Sequence, residues 1–244
     1  MKKIAICMSG HIRLFCLCYE NIYENFIRKL IESGYEVDFF VSLWNVEGMQ
    51  GKWDGEANFD NLIKILNPKA LLIEEFDRDS FIDKFKSEKW KEYSNLSGPT
   101  TCGDSVSMWY KVQMCWNMVI NYEKRYGFEY NIIARIRPDV IFDSVFDISI
   151  LEDIEKNDVV YIPEWHKKWI EVSLTFTDYF GIGNHRVMSK YMCVYNNIEY
   201  LIKCNKYPHT GEGFLCGQLQ NVIIKRLLNM GFSIKRENRI DKMI

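Results

Sequence analysis

Short apolar runs that alternate with longer segments of helical spacing are the feature that most constrains this fold. Runs rich in β-branched and aromatic residues, bounded by turn residues, predict strands. They span residues 3–8, 37–43, 70–75, 130–136, 159–162 and 178–181, and residues 232–235 are a candidate edge strand. Strands that alternate with helices favour an α/β architecture.

The segments between these runs carry apolar residues at helical spacing. Over residues 19–32 this spacing places Ile22, Phe26 and Leu30 on one face, and Gly34 follows as a stop signal. Further helices are predicted over residues 105–126, 186–204 and 212–230. A chain of 244 residues is within the size of one domain. We therefore predict a single domain over residues 1–244, with a mostly parallel central sheet and helices on both faces.

Charge and cysteine content argue against several classes of protein. The 31 Lys and Arg against 33 Asp and Glu give a net charge of -2, so no nucleic-acid partner is expected. No run reaches the ~18 apolar residues that span a bilayer, so no transmembrane segment is expected. The eight cysteines include no CxxC pair, which favours a reduced, cytoplasmic setting. A basic tail is expected to be solvated or to make a weak contact with an anionic membrane surface, through Lys235, Arg236, Arg239 and Lys242.

The first candidate site runs from Ser9 to Arg13, directly after the first predicted strand. Ligands of such sheets bind at the carboxyl ends of strands. Gly10 permits a tight turn and close backbone approach, and Arg13 offers a guanidinium fork that suits a phosphate. His11 in the same turn is a candidate nucleotide contact. The alternative interpretation is an ordinary turn whose arginine faces solvent.

The second candidate site follows the apolar strand that begins at Tyr130. There the sequence reads Arg135-Ile136-Arg137-Pro138-Asp139 before it returns to apolar residues. Pro138 cannot donate a ladder hydrogen bond, so it breaks the strand and displays Asp139 at its end. A carboxylate there can hold a divalent cation on phosphate oxygens, and the two arginines can neutralise phosphate. The alternative is a structural Arg–Asp pair that fixes the break.

The ordered blocks resemble the GT-A-type glycosyltransferases of bacterial and large-virus glycan synthesis. The resemblance rests on blocks at residues 4–13, 38–45, 108–123, 130–142, 178–183 and 211–214. It implies a GT-A-like (Rossmann-like) domain that moves a sugar from a nucleotide-sugar donor to a glycan or other hydroxyl acceptor. Mn2+ or Mg2+ on the donor diphosphate is also implied. Localisation would be the cytoplasm of the source cell or of an infected host cell.

The resemblance also assigns roles to particular residues. It implies nucleotide contacts at Ser9, Gly10 and Arg13, and it puts Asp139 in the place of the family's acidic metal-binding motif. The sequence departs from the usual Asp-x-Asp motif, because Arg137 stands two positions before Asp139 and could partly replace the cation. A literal Asp-x-Asp at residues 77–79 is interpreted as a solvated helix start.

Four further residues complete the candidate site. By the resemblance Asp178 and Glu212 lie near the donor sugar or the acceptor, where either could act as the catalytic base. Their alternatives are a turn cap and a favourable charge in a first helical turn. His209 is a candidate phosphate or metal ligand. Trp44, one of the aromatic residues that make up 15% of the chain, could stack on a sugar or base.

One rival function remains open at this level, and a second is disfavoured. A non-catalytic nucleotide- or glycan-binding protein could use the same fold, and the missing second aspartate is what favours it. A nucleic-acid-modifying enzyme would need a basic stripe that the sequence lacks.

Overall fold

A computed structural model describes residues 2–45, 58–76, 99–163, 177–204, 211–227 and 232–234, without the side chains of 99–104, 211, 226 and 232–234. The strands are β1 (Lys2–His11), β2 (Tyr35–Trp44), β3 (Ala70–Glu74), β4 (Ile132–Ile136), β5 (Val140–Phe142), β6 (Val159–Pro163), β7 (Phe180–Asn184), β8 (Ile223–Leu227) and β9 (Phe232–Ile234). The helices are α1 (Phe15–Ile22), α2 (Arg28–Glu32), α3 (Phe59–Leu66), α4 (Pro99–Tyr126), α5 (Ile150–Lys156), α6 (His185–Met192), α7 (Val194–Cys204) and α8 (Gly211–Gln218).

The main sheet has the strand order β3-β2-β1-β4-β7-β6-β8. Strands β1, β2, β3 and β4 pair in parallel, and β6 pairs in parallel with β8. Only β7 runs against its neighbours β4 and β6 within this sheet. Strands β5 and β9 form a separate antiparallel pair. The predicted α/β class with a mostly parallel sheet is therefore confirmed.

Side chains of β1 alternate between two apolar cores. Ile4, Ile6 and Met8 pack in the core that contains residues of α1, α2, α3 and α5. Ala5 and Cys7 face the other core, with residues of α4, α6, α7 and α8. Because successive strand residues point to opposite faces, both faces of the sheet need a helical layer. The predicted helices on both faces are confirmed.

Several predicted boundaries were wrong, most clearly at the carboxyl ends of the first strands. Strand β1 continues through Ser9 and Gly10 to His11, because β2 is equally long and pairs with it as far as Trp44. Strand β7 begins at Phe180 rather than at Asp178. The predicted turn at residues 9–13 is thus a strand end followed by a short connection to α1.

The predicted helices also changed. The helix predicted over 19–32 begins at Phe15 and contains a π-helical turn, Tyr23–Ile27, between α1 and α2. Helix α4 begins at Pro99, before the predicted start, and the segment 186–204 forms two helices. The prediction for 212–230 was wrong, because α8 ends at Gln218 and β8 then pairs with β6. The apolar residues of that segment satisfy helical spacing, but its second half completes the sheet.

Within the described ranges, no helix combines the length and the apolar character that crossing a membrane requires. The single domain over residues 1–244 stays a prediction.

Candidate functional site

The carboxyl ends of β1, β2 and β4 meet at one edge of the sheet, which we call the carboxyl edge. His11 at the end of β1 is the register partner of Trp44 at the end of β2. The Arg137 amide, just past the end of β4, donates to the Tyr179 carbonyl at 3.0 Å. Because β7 is antiparallel, the residues that precede it lie at this same edge. The topology therefore gathers the residues around 9–13, 135–139 and 178–179.

An ion-pair triad occupies the centre of the carboxyl edge. Arg137 donates to both oxygens of Asp139, with Nε to Oδ1 at 3.0 Å and Nη2 to Oδ2 at 2.8 Å. Arg13 donates from Nη1 to the same Oδ2 at 2.8 Å. The Asp139 side chain is 0% exposed, whereas each arginine side chain retains 16% exposure. The Arg–Asp pair considered from the sequence therefore exists, and a second arginine joins it.

The electrostatics of the triad favour the charged state of the carboxylate. Burial alone would raise the pKa of Asp139, but Arg137 and Arg13 outweigh it and hold this pKa well below its usual range. Burial and the neighbouring Arg137 lower the pKa of Arg13. For Arg137, burial acts to lower the pKa, but the charge and hydrogen bonds of Asp139, together with Asp178, outweigh burial and raise this pKa. Two positive charges on one carboxylate leave the triad with one positive charge, which suits an anionic ligand.

Backbone geometry explains how the triad forms. Gly10 has φ 112°, a region open mainly to glycine, and Arg13 has φ 45°, in the left-handed region. This path turns the chain out of β1 and lets Arg13 reach Asp139 across the gap to β4. A left-handed non-glycine residue costs on the order of 1 kcal/mol. The ion pairs with Asp139 offset that cost.

Arg135 lies deeper than the triad and is 0% exposed. Its Nη1 donates to the backbone carbonyl of Asp178, and the Tyr191 hydroxyl approaches the same carbonyl at 3.4 Å. Within the described residues, Nε and Nη2 of Arg135 have no hydrogen-bond partner. A buried guanidinium with an unsatisfied edge is costly unless a ligand completes it.

Two further carboxylates, Asp178 and Glu212, act on residues at the carboxyl edge. Asp178 is buried, and its carboxylate acts to raise the pKa of each of the three arginines at this edge. Glu212 lies in the first turn of α8, half-buried. Burial chiefly raises the pKa of Tyr179, and Asp178 and Glu212 add to the effect. Asp178 thus acts on the arginines themselves, whereas Glu212 acts on Tyr179, which follows Asp178 in the chain.

The other end of the carboxyl edge is aromatic. The Trp44 ring lies 5.2 Å from Phe76 and stacks on Tyr110 at 5.6 Å. The Lys111 ammonium sits 4.0 Å from the centroid of Trp44 and 2.6 Å from Glu74. Trp44 is 2% exposed, so the indole predicted to stack on a ligand packs within the protein instead. Its role in donor binding stays a prediction, as does that of His11, whose ring contacts Phe76 edge-on at 5.4 Å.

Sequence reasoning missed two polar residues of the site. Ser42 in β2 is 0% exposed and is the register partner of Ser9 in β1. Tyr191 of α6 fills the space above Gly181, where an added Cβ would lie 2.6 Å from Cε2 of that ring. The only sequence signal for Ser42 is one hydroxyl in an apolar strand, which gains meaning through the strand register.

The donor set does not fit the predicted divalent cation. Mn2+ and Mg2+ prefer several carboxylate or carbonyl oxygens, whereas both oxygens of Asp139 accept from guanidinium groups. In the described part of the chain, no three His, Cys, Asp or Glu side chains come together as a cation cage. Metal binding at Asp139 stays a prediction.

Other predicted residues lie outside the described ranges: His209, the Asp-x-Asp at 77–79, and the basic tail.

A search of protein families and a search of curated proteins both find no match for this chain. Among solved structures, its fold is similar to that of LgtC, a galactosyltransferase crystallised with donor and acceptor sugar analogues. The two chains share 9% identity, and the match covers 91% of this chain and 72% of that one with a TM-score of 0.44. The likeness concerns the path of the backbone alone.

Proposed function

We propose that this protein is a glycosyltransferase that moves a sugar from a nucleotide-diphosphate sugar to a hydroxyl acceptor. One observation carries the proposal. Two arginines from separate chain segments, Arg13 and Arg137, are held on a buried carboxylate at the carboxyl edge of a parallel sheet. Parallel α/β sheets bind their ligands at this edge, and guanidinium groups match phosphate oxygens.

The proposed chemistry uses the arginines against the leaving group. When the glycosidic bond to the diphosphate breaks, negative charge builds up on the departing phosphate oxygen. Preorganised cations aimed at that charge stabilise the transition state more than the ground state. Arg13 and Arg137 supply them, and Asp139 keeps their side chains in place before the donor arrives.

The acceptor hydroxyl must lose a proton as it attacks the sugar. Asp178 and Glu212 are the carboxylates we assign to this step, because both act electrostatically on Tyr179 and Asp178 also acts on Arg137. Asp178 is buried beside the arginines, whereas Glu212 retains partial exposure at the start of α8. Glu212 is therefore our first choice for the base that meets an incoming acceptor.

The proposal predicts that Arg137→Gln weakens binding of a nucleoside diphosphate by roughly tenfold or more, since a hydrogen bond to a charged group contributes about 1.5–3 kcal/mol. Isothermal titration with a panel of nucleoside diphosphates measures this. Arg28→Gln is the matched control, because Arg28 forms exposed ion pairs with Glu24 and Glu32 on a helix surface. Equal affinities in both variants would contradict the assignment of Arg137.

A non-catalytic nucleotide-binding protein is the second candidate. The observation that favours it is the engagement of both Asp139 oxygens by arginine, which leaves this strand-end carboxylate occupied. Incubation with the nucleotide sugar whose nucleotide binds most tightly separates the two functions. Release of free nucleoside diphosphate, lost in Glu212→Gln with binding retained, supports the transferase, and binding without release supports the alternative.

A further inference from the structure

Three fully buried polar side chains share an unusual property at the carboxyl edge. Within the described residues, Ser42 Oγ, Ser9 Oγ, and Nε and Nη2 of Arg135 have no hydrogen-bond partner. Each of these residues is 0% exposed. Buried polar groups are nearly always satisfied, so several such groups in one place indicate a missing partner.

Strand register brings the three side chains to one face of the sheet. Ser9 of β1 pairs with Ser42 of β2, and Cys7 of β1 pairs with Arg135 of β4. Because side chains two residues apart share a face, Ser9 lies on the Cys7 side, as Arg135 does. Neighbouring strands lie about 4.8 Å apart, so the three residues form a row across adjacent strands.

The Arg135 side chain extends along this face towards the carboxyl edge. Its backbone pairs with Gly181, yet its Nη1 donates to the carbonyl of Asp178, which precedes Gly181 in the chain. Since β7 is antiparallel, that direction leads to the carboxyl edge, where β1 reaches Ser9. Tyr191 packs against Gly181 and flanks the guanidinium.

The unsatisfied edge of Arg135 identifies the chemistry of the missing partner. Nε and Nη2 form the same edge through which Arg137 binds both oxygens of Asp139, at 3.0 and 2.8 Å. This edge fits two oxygens of one phosphate or carboxylate, and the two serine hydroxyls can donate to further oxygens.

We propose that Arg135, Ser9 and Ser42 form an oxyanion site, separate from the Arg13–Asp139–Arg137 triad, that takes a phosphoryl or carboxylate group of the ligand. The proposal deepens the proposed function and rests on it for the nature of the ligand. A donor diphosphate would offer one phosphoryl group to the triad and the other to this site. A sugar acid would offer its carboxylate instead.

The decisive variant is Ser42→Ala, because it removes a hydroxyl without a protein partner. We expect its thermal unfolding temperature to equal or exceed that of the wild type, while the affinity for inorganic pyrophosphate falls roughly tenfold. Ser189→Ala is the matched control, since that residue is only half-buried and its hydroxyl donates to the Arg186 carbonyl at 2.7 Å. The control should leave the pyrophosphate affinity unchanged.

A second ligand distinguishes the two sources of the oxyanion. A loss of pyrophosphate affinity in Ser42→Ala assigns the site to phosphate, and a loss of glucuronate affinity alone assigns it to a carboxylate. The proposal is overturned if neither affinity separates Ser42→Ala from Ser189→Ala. Arg135→Lys, which keeps the charge and loses the two-pronged edge, should reproduce the Ser42→Ala result where it folds.

These titrations need no turnover, so they separate the site from the activity. If Ser42→Ala weakens pyrophosphate binding while no nucleotide sugar is ever consumed by the wild type, the oxyanion site stands and the transferase proposal fails.

Discussion

The two edges of the main sheet differ in whether their polar side chains have partners within the protein. At the opposite edge, where β1, β2, β3 and β4 begin and which we call the amino edge, Asp38 accepts from the Tyr130 hydroxyl at 2.7 Å and lies 3.3 Å from Lys69. Glu155 there accepts from Lys2 at 2.6 Å and from Tyr35 at 2.7 Å. Each of these carboxylates has partners of opposite charge or a hydroxyl donor within the protein.

At the carboxyl edge, satisfied and unsatisfied groups lie side by side. Asp139 accepts from Arg13 and Arg137, whereas Arg135, Ser9 and Ser42 retain unused donors in the described structure. Unused donors cost stability and serve a ligand, so they concentrate where binding is required. The difference is that the polar side chains of the amino edge are satisfied within the protein, whereas the carboxyl edge keeps the unused donors on which the proposed binding site rests.

The largest expected effect comes from Asp139→Ala. This variant leaves two guanidinium groups without their shared carboxylate, so the free energy of unfolding should fall by about 3–5 kcal/mol. Because both arginines then lose the group that positions them, the affinity for a nucleoside diphosphate should also change. Asp38→Ala at the amino edge should cost about 1–3 kcal/mol and leave that affinity intact. Urea unfolding and calorimetric titration on both variants test the contrast. A nucleoside diphosphate affinity that is unchanged in Asp139→Ala would contradict the contrast between the two edges.

An intermediate effect is expected for Gly181→Ala, opposite Arg135. The new Cβ would lie 2.6 Å from Cε2 and 2.9 Å from Cζ of Tyr191, so the ring must shift. Overpacking of this kind costs about 1–3 kcal/mol. The double variant with Tyr191→Ala should show a favourable coupling energy in a double-mutant cycle. If the losses of stability in Gly181→Ala and Tyr191→Ala simply add in the double variant, the Tyr191 ring has room to move away from the new Cβ.

The smallest effect concerns a pH-dependent pair at the amino edge. His185 lies 3.1 Å from Glu123 and 3.7 Å from Glu129, and the hydrogen bond to Glu123 raises the pKa of His185. Its folded-state pKa exceeds the unfolded value of about 6.5. The pair therefore stabilises the fold fully below that pH and loses its effect as the pH rises through the folded pKa.

Unfolding free energies measured between about pH 5.5 and 8.5 test this pair. The wild type should lose stability relative to His185→Gln across that range, by less than about 1 kcal/mol. If the free energies of unfolding of the wild type and His185→Gln depend on pH in the same way, the stabilising role of His185 is contradicted. Ligand affinity should not depend on this variant.

Much of the fold follows from local pattern, and the errors have physical causes. The segments of β2 and β4 were recognisable as strands from the sequence. A strand that is buried on both faces needs a continuous apolar run, and both segments have one. Residues 223–227 also fit helical spacing, and only pairing with β6 decides that they form β8. Local pattern therefore failed where a long-range contact chose between two periodicities.

The candidate site was predictable where the chain breaks its own pattern. Arg137, Pro138 and Asp139 interrupt an otherwise apolar strand, and this interruption marks the segment as a candidate site from the sequence alone. Ser42 gave no such contrast, since a small hydroxyl is unremarkable in a strand. Its position beside Ser9 depends on the register of β1 with β2, which no single sequence pattern determines.

The sharing of Asp139 by two arginines also has a kinetic consequence. Side chains that already hold each other need no rotamer search when a ligand arrives, so less entropy is lost on association. The single net positive charge that remains attracts anions over a range limited by the ionic strength. Encounter with a polyanionic ligand should therefore slow as salt is added, even though the protein as a whole is slightly acidic. Local placement of charge, rather than the overall sign, governs how quickly such a surface finds its ligand.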